Sequence, residues 1–304
     1  MRILITGSNG QVGNSFKRVD LPCNFEIFPL DRSQLDISDR DNIKKTLAEI
    51  RPQLLINAAA YTNVDKAEEE YFEAHVSNEL GPKNLAISCL EQGIPLFHIS
   101  TDYVFDGQFN KPYSESDIAN PQGIYAKSKL AGEEYVRKIH PMHIILRTSW
   151  VFSDHGKNFP KTILKISQDK DEIRVVADQK GGPTSSRSIV DILLKLAVQY
   201  QNENFLQWGT FHFSQLPYCS WYDLAAKICH LASEKYQKPK VKVIPICSAE
   251  FPTKAIRPAN SMLNVTKLRS IINIESELSW EIDLELVISK LMKSQNNSFK
   301  CLGS

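Results

Sequence analysis

The sequence predicts an α/β protein, a Rossmann-like doubly wound parallel sheet followed by a smaller C-terminal α/β lobe. Three observations predict it. Apolar runs of strand length alternate with longer segments of helical period, as in a parallel sheet covered by helices. The runs are continuously apolar, as strands buried on both faces are. The rhythm loosens after about residue 155, and 304 residues are more than one small core needs.

The elements follow in order. "RILIT" is a short strand that ends at glycines, and "NFEIFPLD" is a second. "DISDRDNIKKTLAEI" has helical period, an acidic first turn and Pro52 just past its end. "LLINAAA" is a third strand, and a helical stretch then runs up to "GPKNLAISCLEQG". "PLFHIS", the helical "GIYAKSKLAGEEYV" and the apolar run "HIILRTSWVF" come next. In the second part "EIRVV" and "TFHFS" read as strands and "SSRSIVDILLKLAVQY" as an amphipathic helix. "SWYDLAAKICHLAS" opens with Ser220 and Asp223 in capping-box spacing. "EKYQKPKVKVIPI" is a basic, Pro-broken surface connection leading into a strand. No repeat or low-complexity linker separates the parts, so the second lobe is expected to pack on the first. Residues 1–155 form the first domain, with 183–215 packing back onto it, and 156–304 form most of the second lobe.

Composition excludes several classes. A formal charge of +1 gives no net pull toward nucleic acid or a membrane surface, but leaves room for a local phosphate site. The six cysteines are scattered without a CxxC pair, which suits reduced thiols in the cytoplasm. No leader pattern opens the chain and no apolar stretch reaches membrane length, so a soluble, cytoplasmic protein is expected. His140 and His143 have HxxH spacing, but Pro141 intervenes and no acid or cysteine cluster joins them. They are read as core or surface residues, and no metal site is expected.

Two motifs carry chemistry. "GSNGQVG" places Gly7, Gly10 and Gly13 between the first strand and the first helix. There glycines permit a tight turn, approach to a pyrophosphate and close helix–strand packing, and the helix start offers free N–H groups. A ribose partner belongs at the end of the second strand, where Asp31 stands. Its carboxylate favours NAD, whereas Arg32 beside it could hold a 2′-phosphate and favour NADP, so the choice stays open.

The second motif is Tyr125 and Lys129, four residues apart and so on one face of a helix. A tyrosine near pKa 10 exchanges protons poorly at neutral pH, and a neighbouring ammonium lowers that value. Ser100 and Thr101 follow a strand and supply the hydroxyl that holds a reacting oxygen. Tyr236 and Lys240 share the spacing but have Pro239 between them and no such context, so that pair is chance.

These residues together resemble the extended short-chain dehydrogenase/reductase superfamily. More closely, "NAAAYTNVDKAE", "STDYVFDG", "YAKSKLAGE", "RTSWVF", "DQKGGPTSSR" and "RPANSMLN" resemble the successive blocks of the dTDP-4-dehydrorhamnose reductase family. The resemblance implies hydride delivery from NADPH or NADH to the C4 ketone of dTDP-4-dehydro-L-rhamnose, with the C-terminal lobe binding substrate. It makes Tyr125 the proton donor, Lys129 the holder of the nicotinamide ribose and Thr101 the partner of the sugar oxygen. Gly10, Gln11 and Val12 would lie along the pyrophosphate, and Asp31, Asp36 and Ile37 around the adenosine. Ala60, Tyr61, Thr62 and Ile99 would flank the cofactor. Asp102, Trp150 and Arg257 would meet the substrate, Arg257 at the diphosphate. Sugar-nucleotide dehydratases carry "TDE" where this chain has Thr101-Asp102-Tyr103, so the glutamate that dehydration needs is missing. The resemblance also brings a homodimer and a Mg2+ ion held by carboxylates between subunits. Ser15 stands where one such carboxylate is needed, which weighs against the metal. Two other readings are a dinucleotide-binding partner protein like the methionine adenosyltransferase β subunit, and a reductase or epimerase of another nucleotide sugar.

Overall fold

A computed structural model describes residues 1–236, 240–275 and 278–300, with Tyr236 and 294–300 described by their backbone alone. The Tyr236 side chain, and hence its pairing with Lys240, lies outside the described residues, as does Cys301. The first half runs β1 (Arg2–Thr6), α1 (Gln11–Phe16), β2 (Glu26–Leu30), α2 (Arg40–Ile50), β3 (Leu54–Asn57), α3 (Val64–Ala67) and α4 (Tyr71–His75). A π-helical turn at Val76–Leu80 leads into α5 (Gly81–Gln92), followed by β4 (Leu96–Thr101), α6 (Ile124–Ile139) and β5 (His143–Thr148). The second half runs β6 (Val151–Phe152), α7 (Phe159–Ile166), β7 (Glu172–Val176), β8 (Lys180–Gly181), β9 (Thr184–Ser185), α8 (Ser186–Glu203) and β10 (Gly209–His212). It ends with β11 (Cys219–Ser220), α9 (Trp221–Tyr236), β12 (Lys242–Ile246), β13 (Asn260–Ser261), α10 (Thr266–Arg269) and α11 (Trp280–Lys300).

Six strands form one sheet in the order β10-β5-β4-β3-β1-β2, and every pairing in it is parallel. Pro29 lies in β2, an edge strand, where its missing N–H costs no ladder bond. The chain moves outward from β1 to β2 and returns to β3 on the other side of β1. That reversal opens a crevice beyond the carboxyl ends of β1 and β3, where ligands bind in such sheets.

Two apolar layers cover the sheet. On one face Phe16, Ile189, Leu193 and Leu196 of α1 and α8 pack on Ile3, Ile5, Ile56 and Phe97. On the other, Ile43, Leu85, Ala86 and Val136 of α2, α5 and α6 pack on Leu4, Leu55 and Ile145. Each such Leu or Ile contributes about 1.5–3 kcal/mol when fully buried. A second core joins Leu164, Ile173, Leu224, Ile228, Leu284 and Ile288 of α7, β7, α9 and α11. Among the described residues no helix is long and apolar enough to cross a membrane.

"HIILRTSWVF" does not run as one strand. β5 ends at Thr148, Trp150 adopts φ +46°, and Val151–Phe152 pairs with β9 instead. A bulky residue in the left-handed region costs on the order of 1 kcal/mol, so the surroundings must enforce the bend. His140 and His143 are core residues: their ring nitrogens reach the carbonyl oxygens of Ile94 (2.8 Å) and His140 (2.5 Å). Ser220 and Asp223 form the expected reciprocal cap at the start of α9.

Candidate active site

The glycine loop fills the crevice at the switch between β1 and β3. Gly7 has φ +69°, and a Cβ there would meet the backbone of Ala58 and Ala59 at 2.6–2.7 Å. A Cβ at Gly13 would lie 2.4 Å from the Gly7 carbonyl oxygen, so α1 packs on its own loop only without a side chain. Gly10 caps α1 in extended backbone, and its nearest such contact is 3.3 Å. Its face toward the crevice is bare, as a pyrophosphate requires.

Asp31 follows β2 directly, in the same crevice. The Ser33 hydroxyl, first, and the Asn9 amide keep its carboxyl ionised by lowering its pKa. Arg32 is exposed, 3.5 Å from Asp36. This compartment, about 280 Å3, is lined by Gly7, Gly10, Asp31, Arg32, Asp36, Ile37, Ala60 and Tyr61 among others. It shares Gly10, Ala58 and Ala60 with a second compartment of about 470 Å3. That one is lined by Gln11, Val12, Thr62, Ile99, Thr101, Asp102, Tyr125, Lys129 and Trp150. One continuous trough therefore gathers all the site residues expected from sequence except Gly13, which packs beneath the loop, and Arg257. A dinucleotide fits this donor set: bare glycine backbone, a carboxylate held ionised, and a cation at its side.

α6 enters the trough by its first turn. Glu68 accepts the Ile124 N–H at 2.8 Å and caps the helix, and a Cβ on Gly123 would collide with the same carboxylate. Further along, Gly132 lets α6 press on the π-helical turn: a Cβ there would lie 2.1 Å from the Asn78 carbonyl oxygen. Asn78 in turn binds both backbone groups of Tyr61 and donates to Ser128. Beneath the helix, Glu133 is fully buried and accepts from Arg147 at 2.7 Å and Arg137 at 2.8 Å. Burial opposes its charge, yet Arg147 overrides that and the pKa falls to about 2.

The electrostatics differ from the sequence expectation in one respect. Lys129 was expected to lower the Tyr125 pKa, but crowding by protein dominates and pushes the phenol up to about 12, a Thr101 hydrogen bond opposing. Tyr125 is nonetheless partly exposed and lines the trough. The Lys129 ammonium donates to the Ile99 carbonyl oxygen at 2.7 Å, and burial lowers its pKa to about 8. Thr101 donates to Asp102 at 2.9 Å. Burial raises the Asp102 pKa to about 6 against hydrogen bonds from Ser261 and Thr101.

Trp150 and Trp221 close the far end of the trough, stacked at 3.5 Å with planes 8° apart. Trp221 escaped the sequence reading, because an aromatic residue after a cap is an ordinary helix start. Arg257 lies beyond it. It pairs with both oxygens of Asp65, at 3.2 and 2.6 Å, and lines a neighbouring apolar cavity that shares Trp221 with the trough. Ser15 hydrogen-bonds Ser186 at 2.7 Å, and among the described residues no cluster of three or more His, Cys, Asp or Glu could hold a metal ion.

The fold, with its switch-point trough and a tyrosine–lysine helix along it, is that of the extended short-chain dehydrogenase/reductases. Within that class the chain belongs to the family described as the RmlD substrate binding domain, whose model matches residues 1–293. It is 40% identical over 282 residues to the dTDP-4-dehydrorhamnose reductase of Aggregatibacter actinomycetemcomitans, covering 92% of this chain and 96% of that one. The dTDP-4-dehydrorhamnose reductase structure from Clostridium acetobutylicum is similar at TM-score 0.87 and 39% identity, covering 96% and 99% of the two chains. That from Bacillus anthracis, in complex with NADP, is similar at TM-score 0.85 and 36% identity, covering 95% and 99%.

Proposed function

We propose that this protein reduces the C4 ketone of dTDP-4-dehydro-L-rhamnose to dTDP-L-rhamnose, the last step of dTDP-rhamnose synthesis, with NADPH or NADH as reductant. The observation that carries this reading is the meeting of Tyr125, Thr101, Lys129 and Trp150 in one cleft continuous with the glycine-loop trough. When bound, the reduced nicotinamide supplies the hydride. Tyr125 gives the proton. A phenol of pKa about 12 stays protonated at neutral pH, yet it is a stronger acid than the alcohol whose alkoxide grows at C4. Thr101, whose hydroxyl donates to Asp102 in the absence of substrate, turns that proton to the sugar oxygen beside the phenol. Lys129, tethered to Ile99, grips the nicotinamide ribose while still charged at neutral pH.

Asp31, Asp36 and Ile37 take the adenosine end, and Arg32 is the cation available to a 2′-phosphate. Trp150 bounds the sugar, and Arg257 meets the diphosphate by exchanging Asp65 for it. On this reading residues 1–155 with 183–215 are the dinucleotide half, and the rest of 156–304 binds substrate. The protein works in the cytoplasm, in keeping with five free cysteines among the described residues.

The test is NADPH and NADH oxidation with the dTDP-linked ketone. Turnover at the dTDP sugar well above that with UDP- or GDP-linked ketones supports the reading. Tight dinucleotide binding without turnover favours a regulatory partner protein and rejects it.

A further inference from the structure

We propose that Gly181 and Trp221 are positioning residues for this reaction, two jaws that grip the Trp150 indole and hold it against the sugar. The inference rests on the reading of Trp150 as the wall of the sugar pocket.

Trp150 does not hold itself. Its φ of +46° lies where a bulky side chain is disfavoured, and its carbonyl oxygen accepts one backbone bond, from Thr184 at 3.2 Å. The ring is fixed from outside. On one side stands Trp221, at 3.5 Å between ring centres and 8° between planes. On the other stands Gly181. A Cβ built there would lie 2.5 Å from Cε2 and 2.8 Å from both Cζ2 and Nε1 of Trp150. Near-equal distances to three joined ring atoms mean that it would land on the face of the indole, not its edge. Gly181 is not among the glycines with positive φ. It is needed for space, and the space is filled by Trp150.

Both jaws belong to one rigid unit. Gly181 lies in β8, the central strand of the three-stranded sheet β11-β8-β13, paired with Cys219 and Ser261. Trp221 follows β11 directly, and Ser220 and Asp223 lock the first turn of its helix. Phe159 backs the outer jaw at 4.6 Å. The small sheet therefore sets the gap into which the indole slides. A free indole at the same position would lose the stacking contribution and the edge it presents to the cleft.

The test compares W150A, W221A, W221F, G181A and the double variant W150A/W221A. In W221A and G181A the KM for the dTDP-linked ketone is expected to rise about tenfold, while the NADPH dissociation constant stays within about twofold of wild type. W221F, which keeps a stacking ring, should recover most of the loss. The exciton couplet of two stacked indoles in circular dichroism should vanish in W150A and W221F and weaken in G181A. Because Trp221 acts through Trp150, the double variant should be no worse than W150A alone. A W221A enzyme with wild-type KM, or losses that multiply in the double variant, overturns the inference and leaves the proposed function standing. If W221A no longer binds NADPH, G181A decides: a wild-type KM in G181A, or a loss in W150A/G181A greater than in W150A alone, overturns the inference. If wild type does not turn over the ketone, the functional reading falls and this inference falls with it.

Discussion

The hydrogen bond of Lys129 runs to the Ile99 carbonyl oxygen at 2.7 Å, tying the helix that carries Tyr125 to the end of β4. This bond fixes where the ammonium sits, and burial keeps its pKa near 8, low enough to lose a proton just above neutrality. The phenol of Tyr125, pushed up to about 12, stays protonated through that range. Both groups of the motif therefore titrate above neutral pH, Lys129 close to it and Tyr125 far from it, and their roles separate.

Tyr125→Phe tests the first role. The ring and its edge contact with Tyr103, 5.7 Å between centres, are kept while one proton is removed. The turnover number should fall about 10²–10⁴-fold with NADPH affinity unchanged. A single-turnover rate within a few-fold of wild type removes Tyr125 from the proton-transfer step.

Lys129→Met tests the second. The native pKa of about 8 lies below the ordinary 10.5, so between these values the unfolded chain holds a proton that the native protein has lost. Stability then rises with pH across that window, and below about pH 8 the buried charge is a full cost. The methionine variant should be inactive yet more stable than wild type at pH 7, the difference closing between pH 8 and 10.5. Urea midpoints across this range read it, and a pH-independent difference contradicts it.

Asp102 gives the mirror case. Its pKa of about 6 exceeds the ordinary 3.8, so the native protein binds more protons between the two. The ionised form is penalised in full above pH 6, and the penalty fades as pH falls toward 3.8. Asp102→Asn should be more stable than wild type at pH 7 and equal to it near pH 4. The same denaturation series, extended to acid, checks the crossing.

Glu133 and Arg147 should behave as a pair. The native pKa near 2 lies below 4.5, so the pair's contribution is present above pH 4.5 and is lost as pH falls through 2. Glu133→Ala leaves the buried Arg147 without its counter-charge and should cost about 3–5 kcal/mol by chemical denaturation. E133L/R147M should recover most of it. If the double variant is as unstable as the single one, the uncompensated charge is not the cause.

The sheet was legible because its strands are uninterrupted apolar runs, and a parallel strand needs no more signal than that. The glycine loop was legible because Gly7 and Gly13 answer to contacts a few residues or one neighbouring strand away. Gly132 and Gly181 are as sterically constrained, but their partners, Asn78 and Trp150, are remote in sequence and carry no local mark. Trp221 and the Asp65–Arg257 pair were hidden for the same reason, since their contacts join residues far apart in the sequence. The Tyr125–Lys129 spacing was readable, but the burial that reverses the expected pKa shift is not a property of spacing. The bend at Trp150 was missed because "RTSWVF" has neither glycine nor proline to announce it.

Gln11 opens the first turn of the helix behind the glycine loop, yet its amide spans the chain. It donates to the Val151 carbonyl oxygen at 3.2 Å and accepts from Ser153 and Asn158, both at 2.9 Å. Those three residues belong to the stretch just past Trp150. The halves of this molecule are thus not interchangeable parts. A chimera that joins residues 1–155 to a foreign lobe keeps Val151 and Ser153 but must import a donor in place of Asn158, or the graft will leave its own seam unsewn.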